Sequence, residues 1–254
     1  LSRGLGDVYK RQVEENKMKV KLISKREIAE GTMEFCFEKP KDLNFKPGQH
    51  FTLRLINPIE NDEKGNERVF SVVSSPEEDR ICFATRMRDS AFKRNIKKLK
   101  EGEELEIDGP YGRMTLPKNT NKKIVLIAGG IGITPFMSMI RYTVKNNLGY
   151  KIYLFYSNRR PEDAAYLDEL LEYDKKGKIK LIATMTQMEN SSKSWNGERG
   201  YINEEMIKKY LGGELENFIF YVAGPPQMTQ AMYELLENMG IDTESIKGED
   251  FSGY

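Results

Sequence analysis

The chain has little with which to bind metals or form cross-links: two cysteines, one histidine and one tryptophan in 254 residues. Cys36 and Cys82 stand alone in separate strand-like runs without C-x-x-C spacing, which excludes a cysteine-ligated iron–sulfur cluster and a disulfide framework. His50 alone cannot supply a zinc ligand set, so no metal is expected. Charge of one sign is lacking too. Forty Lys and Arg face thirty-nine Asp and Glu, so no global field gathers nucleic acid or anionic membrane around the protein. The longest uncharged stretch, Ile124 to Ile140, is short for a bilayer and is interrupted by Gly129, Gly130, Gly132 and Pro135. With no secretory apolar segment either, a cytoplasmic protein is expected.

What is present describes an ordinary globular chain. Hydrophobic residues make up 39% and charged residues 31%, and the length favours two modest cores. Residues Leu1 to Gln12 lack useful periodicity and resemble a translated adapter, so they are set aside as non-native, with a native start near Met18.

From Lys19 to Gly109, six short strand-like runs alternate with turn residues: Val20–Lys25, Thr32–Glu38, His50–Ile56, Arg68–Val73, Ile81–Met87 and Glu104–Ile107. In the second, Met33, Phe35 and Phe37 share one face, and Glu34, Cys36 and Glu38 the other. One helical piece, Ala91–Leu99, interrupts the series. The pattern predicts a closed six-stranded antiparallel β-barrel over residues 18–118. After Pro117 apolar strands alternate with helices, at Ile124–Ala128, Pro135–Lys145, Ile152–Tyr156, Tyr166–Tyr173, Ile179–Met185, Glu204–Tyr210, Ile219–Ala223 and Gln227–Asn238. That alternation predicts an α/β domain with a parallel sheet over residues 119–254.

Two turns in this second half follow strands and open helices: AGGIGITP (Ala128–Pro135) and AGPPQM (Ala223–Met228). Helix N-termini present unpaired N–H groups and partial positive charge, and glycines let a phosphate approach. At one edge of a parallel sheet, two such turns would face a single crevice. In the first half, RVFSVVS (Arg68–Ser74) places Arg68 and Phe70 on one face of a strand, able to hold a phosphate and back a flat ring. Tight packing remains an alternative reading of each turn, and a surface ion pair of Arg68.

Taken in order, RVFSVVS, GPYGRM (Gly109–Met114), AGGIGITP, AGPPQM and the terminal EDFSGY (Glu249–Tyr254) resemble the signature of the ferredoxin-NADP reductase family, over roughly Lys19 to Tyr254. The resemblance implies an FAD-binding barrel, an NAD(P)-binding α/β domain, and hydride transfer from NADPH or NADH to FAD. It implies that Arg68 holds the flavin pyrophosphate, Phe70 packs on the isoalloxazine and Ser71 approaches its N5. Ser74 and the backbone around Ser90 and Ala91 complete the flavin contacts. Gly129, Gly130, Gly132 and Thr134 cradle the nicotinamide nucleotide, and Gly224, Pro225 and Met228 line its far side. Phe251 lies near the flavin ring with Glu249 as a nearby charge, and Tyr254 covers the adenine or the outer ring edge. Ser71, Glu249 and Phe251 are the catalytic candidates. Two departures stand out: Phe70 replaces the usual Tyr, and Ala223 replaces the usual Cys.

Asn158-Arg159-Arg160 follows the second strand of the α/β half, with no acid before Glu162, which points to the 2′-phosphate of NADPH. The acceptor is expected to be a separate molecule, such as a ferredoxin, a flavodoxin or a haem protein. The basic run Lys93–Lys100 could dock an acidic carrier or simply form a solvated helix face. Reduction of free flavin or ferric complexes, and a non-autonomous electron-transfer subunit, are the alternatives. A monomer or weak dimer is expected.

Overall fold

The computed structural model describes residues 17–213 and 215–250. Its first half holds β1 (Lys17–Ala29), β2 (Thr32–Glu38), β3 (His50–Leu55), β4 (Glu67–Ser71), β5 (Arg80–Arg86), helix α1 (Ala91–Lys98) and β6 (Glu104–Tyr111). The strands pair antiparallel in the order β4-β3-β6-β1-β2-β5. The two end strands meet at the bridge Val72–Phe83, and Val73 N–H donates to Cys82 O at 2.8 Å, which closes the barrel. Inward-facing apolar residues fill it, among them Leu22, Phe37, Phe51, Leu53, Phe83 and Ile107. Alternation at period two puts these side chains on one face of each strand, as the sequence pattern predicts.

On β2 the predicted polar face is not solvated. Phe35 and Phe37 point into the barrel, while Glu34 (4% exposed) and Cys36 (2%) are buried on the other side, with Cys36 in the hydrophobic cluster shared with the second half. The expectation of two isolated cysteines is corrected here. The β2–β5 register sets Cys36 opposite Cys82, and the two form a disulfide across a sequence separation of 46. Each strand announces itself by alternation, but alternation carries no information on which residue lies opposite which.

The second half holds β7 (Lys123–Gly129), a short 3-10 turn (Gly130–Gly132), α2 (Ile133–Lys145), β8 (Lys151–Asn158), α3 (Leu167–Lys175), β9 (Lys180–Met185), β10 (Glu198–Arg199), α4 (Glu204–Leu211), β11 (Phe218–Gly224), α5 (Pro226–Asn238) and β12 (Ile246–Asp250). All six strands run parallel in the order β10-β9-β8-β7-β11-β12. Along β7, Ile124, Leu126 and Ala128 join the cluster containing Phe136 of α2 and Leu170 of α3, whereas Val125 and Ile127 join Ile207 of α4 and Leu236 of α5. Both faces of the sheet are therefore covered, which suits the apolar strands. The stretch from Ile124 to Ile140 is strand, turn and helix, and no helix among the described residues is long and apolar enough to cross a membrane.

Strand order reverses between β7 and β11, so a crevice opens outside their C-terminal ends. The barrel packs on the α2 face of this domain. Ser138 Oγ donates to Ser74 O at 2.7 Å, an Arg141 guanidinium N–H to Val73 O at 3.1 Å, and Tyr221 Oη to Thr115 O at 2.8 Å.

Candidate functional site

Two cationic sites lie on the faces that this packing creates. The first is on the barrel. Strand β4 carries Arg68, whose guanidinium donates to the carbonyls of Lys64 (2.8 Å) and Gly65 (3.0 Å) and pairs with Asp62 at 3.1 Å. Asp62 also accepts from the backbone N–H of Ala91 at 3.1 Å, at the N-terminus of α1. Arg68 and that helix end thus converge on one carboxylate. Ser90 caps the helix, its side chain accepting from Lys93 N–H at 3.3 Å. Lys93 is buried in the same neighbourhood, where desolvation, aided by Arg88, Arg68 and Lys64, pushes its ammonium down to about 8.

Arg68 paired with one carboxylate, the buried Lys93 and a helix N-terminus fit a group with several negative charges, as the pyrophosphate of FAD is. Next to them, Phe70 is 3% exposed and packs on Phe92 with ring centroids 5.7 Å apart. Ser71 follows, buried, with its hydroxyl lacking any hydrogen-bond partner. A buried hydroxyl without a partner is costly unless a ligand supplies one, so Ser71 fits a residue facing a ring edge. Ser74, by contrast, has its hydroxyl engaged within the barrel: its Oγ accepts from Cys82 N–H at 3.0 Å.

The second site is a cavity of about 320 Å³ at the crevice between β7 and β11. Gly129, Gly130 and Ile131 form one wall, and Gly224, Pro225 and Met228 the other. The glycines are there for space. A Cβ on Gly129 would lie 2.1 Å from Met228 Sδ, and one on Gly132 would lie 2.2 Å from Ala223 O. Gly132 therefore permits the close packing of the turn against β11, and Thr134 Oγ1 donates to Ile131 O at 3.0 Å, bracing the same turn. Gly130 has φ +53, a conformation that favours glycine.

The end of β8 adds Ser157, Asn158 and Arg159, and the rim carries Tyr201, 78% exposed. Arg159 lines the cavity; Arg160 turns away, donating to Asp163 at 3.0 and 3.1 Å and to Glu30 at 2.9 Å. The barrel contributes Arg86 and Arg88. Sequence reasoning missed Arg86 and Tyr201, which come from two distant segments, and named Asn158 only as the neighbour of Arg159 and Arg160. Only the position of Arg86 at the end of an apolar strand run, aligned with no motif, could have drawn attention to it.

The C-terminal strand approaches the barrel through Glu249. Glu249, on β12 beside Ala223 of β11, has its Oε1 2.9 Å from Nδ1 of His50, the first residue of β3. Phe251 and Tyr254 lie outside the described residues. The basic run after Ser90 is α1 itself: Lys93 is buried, Arg94 pairs with Glu60 and Asp89, and Lys98 approaches Glu60 at 3.6 Å.

Comparison with known proteins matches this arrangement. The family model described as Oxidoreductase FAD-binding domain matches residues 19–116, and that described as Oxidoreductase NAD-binding domain matches residues 126–234. The NADH-cytochrome b5 reductase 2 of Lodderomyces elongisporus is 31% identical over 215 residues, covering 77% of this chain and 71% of that protein. The chain belongs to the ferredoxin-NADP reductase family of FAD- and NAD(P)-binding oxidoreductases.

Members resemble it along most of its length. The glycine betaine monooxygenase reductase subunit of Chromohalobacter salexigens is 29% identical over 223 residues, 85% of this chain, which spans 59% of that subunit. A ferredoxin NADP+ reductase from Neisseria gonorrhoeae, solved with bound FAD and NADP, shares the fold with a TM-score of 0.76 at 21% identity, over 92% of this chain and 97% of that one. The ferredoxin reductase of carbazole 1,9a-dioxygenase gives a TM-score of 0.78 at 24% identity, over 92% and 68% of the two chains. The chain is thus an FAD-dependent NAD(P)H oxidoreductase that passes electrons to a separate acceptor.

Proposed function

We propose that this reductase takes its hydride from NADPH in preference to NADH and delivers electrons to a protein carrier holding a haem or an iron–sulfur cluster. The cavity at the β7–β11 crevice carries the first part of this reading: Arg86, Arg88 and Arg159 line it and no carboxylate does. An NAD-selective site commonly presents an acid to the ribose 2′-hydroxyl, whereas a 2′-phosphate calls for arginine. The second part rests on relatives whose names specify cytochrome b5 reductase and oxygenase reductase components.

In this reading Arg68, Lys93 and the N–H groups at the start of α1 hold the flavin pyrophosphate, taking over the anionic position that Asp62 serves within the chain. Phe70, fixed by Phe92, backs the ring site, and the Ser71 hydroxyl donates to the ring edge. Bound FAD supplies hydride acceptance and stepwise release of single electrons. The protein supplies position, since no side chain has to act as a strong acid or base. Glu249 and His50 anchor the tail at the mouth of the barrel.

An anaerobic absorbance titration of the purified protein, with NADPH and then NADH, tests the reading. Bleaching of a bound yellow chromophore at lower NADPH than NADH supports it. A colourless protein that takes up no flavin and leaves reduced nicotinamide unoxidised overturns it.

A further inference from the structure

We propose that Met228 is an oxidation site that gates the crevice: transfer of one oxygen atom from a peroxide to its thioether sulfur closes the β7–β11 cavity to the nicotinamide nucleotide, and reduction of the sulfoxide reopens it. The proposal rests on the preceding assignment of that crevice to the nucleotide.

The sulfur stands where the two glycine turns meet. Met228 is the third residue of α5, and its N–H donates to Pro225 O at 2.9 Å in the first turn of the helix. A Cβ on Gly129 would lie 2.1 Å from Met228 Sδ and 3.3 Å from its methyl carbon, and one on Gly224 would lie 3.0 Å from Sδ. The thioether therefore fills the notch that two missing side chains leave. The side chain packs against the apolar cluster that includes Val222 and Leu236, and it also lines the cavity of about 320 Å³.

No other sulfur among the described residues is placed this way. The two cysteines are joined to each other, so a peroxide meets no thiol. Met114, Met137, Met139, Met185, Met206 and Met232 are buried. Met228 is half-buried and is the methionine among the residues lining the crevice cavity. Met188, also half-buried, belongs to a neighbouring cavity with Trp195 and Arg199.

In the step itself the sulfur lone pair attacks one peroxide oxygen. The O–O bond breaks and an S–O bond forms, so the sulfur is oxidised by two electrons and hydrogen peroxide leaves as water. An apolar, polarisable group becomes a polar one. The glycine side of the sulfur is already filled, so the new oxygen points toward the cavity. There it carries partial negative charge in a space whose charged side chains are Arg86, Arg88 and Arg159. It competes with a phosphate for their N–H groups and repels the phosphate directly. Two thiols reverse the change, taking the oxygen away as water and becoming a disulfide.

The test uses the flavin-loaded protein, treated with hydrogen peroxide that is then removed. Peptide mass mapping should find one added oxygen on Met228. Calorimetric titration with NADP+ should show affinity lowered by about tenfold or more, the scale of a displaced charge-assisted contact. The flavin absorbance should be unchanged. Methionine sulfoxide reductase with a dithiol should restore the affinity, and the dithiol alone should not. Affinities are compared before and after treatment within each variant, so differences in starting affinity drop out. Met228→Leu should lose less than about twofold on treatment, whereas Met188→Leu should lose as much as wild type. Untreated Met228→Gln, with a polar group of similar length at the notch, should bind NADP+ about as weakly as the oxidised wild type. Oxidised Met228 with unchanged NADP+ affinity overturns the proposal, as does a loss in Met228→Leu equal to that of wild type. Should the leucine variant fail to load flavin, the reductase step decides alone, and affinity that stays low once Met228 is again a thioether overturns the gate. An untreated wild type that holds flavin and binds no NADP+ overturns the nucleotide assignment beneath it.

Discussion

Tyr166 donates a 2.8 Å hydrogen bond from its hydroxyl to Glu34 Oε2, joining the α/β half to strand β2 of the barrel. Glu34 accepts from Arg26 Nε at 2.8 Å through its other oxygen, and the Arg141 guanidinium lies 5.0 Å from the centre of the Tyr166 ring. Arg141 in turn makes a two-pronged pair with Glu169, at 2.8 and 2.7 Å. Burial and the Glu34 carboxylate raise the Tyr166 phenol well above its ordinary value, so it stays a donor across the working pH range. Tyr166 adopts φ +60, uncommon for a side chain of its size, and the contacts at the seam hold it there.

Tyr166→Phe leaves the ring in place and removes the donor, so Glu34 keeps only Arg26. The expected cost is about 1–3 kcal/mol, the price of a buried acceptor losing its partner. Urea denaturation of wild type and variant measures it. An unchanged midpoint would show that the bond across the seam contributes nothing to stability.

Ser71→Ala should separate function from fold. Its hydroxyl has no partner within the chain, so the flavin-free protein should melt within about 1 °C of wild type or slightly higher, as expected when no hydrogen bond is lost. The rate of flavin bleaching by NADPH in stopped flow should fall by about tenfold or more, on the scale of a lost positioning contact. A slowed reaction with a lowered melting point would instead mark Ser71 as part of the fold.

Lys93 gives a pH dependence of definite sign. Its pKa is lowered to about 8 in the folded protein, below the usual lysine value, so the charged form is penalised in the fold. The penalty is fully present below about pH 8 and is relieved as pH rises toward the unfolded lysine value of about 10.4, so flavin-free protein gains stability over that interval from this group. A bound pyrophosphate favours the charged form and should flatten the rise. Melting curves from pH 7 to 10, with and without FAD, compare the two, and Lys93→Met should remove the slope in the flavin-free protein. A slope that survives in the variant would assign it to other groups.

The Cys36–Cys82 disulfide closes a loop with a sequence separation of 46, which in the chain-entropy account stabilises by about 3–4 kcal/mol. Thiol titration of the denatured, non-reduced protein should find no free cysteine, and a reducing agent should lower the melting temperature. Two titratable thiols before reduction would contradict the pairing.

The β-strands were legible because each buries one face: Phe35 and Phe37 alternate with Glu34 and Cys36, and the run is a strand whatever covers the second face. What covered it was not legible, since only the docking of the α/β half shows that Glu34 is buried there. The strand β12 was missed for a related reason: its sequence, IKGED, is polar and lies at a sheet edge, so it carries neither alternation nor an apolar run. The glycine turns were visible as motifs, but the distinction between Gly130, which faces the cavity, and Gly132, which packs on Ala223, depends on distances. Arg159 and Arg160 are alike in sequence and both approach Asp163, but Arg160 is also held by Glu30 while Arg159 lines the cavity. Residues within one motif could be named from the sequence, whereas the meeting of distant segments, such as Arg86 and Tyr201 at one cavity, could not.

The barrel closes between β5 and the residues just after β4, through the bridge from Val72 to Phe83 and the hydrogen bonds of Val73 and Ser74 with Cys82. Moving away from it in antiparallel directions, the chain reaches Arg68 on one strand and Arg86 on the other, at the same end of the barrel. The wall is thus left unzipped at the end where Arg68 and Arg86 stand. A substitution that loosened this fastening, even an apolar one far from any phosphate, would let the two guanidinium groups drift apart, and flavin retention and nucleotide affinity would decline in step.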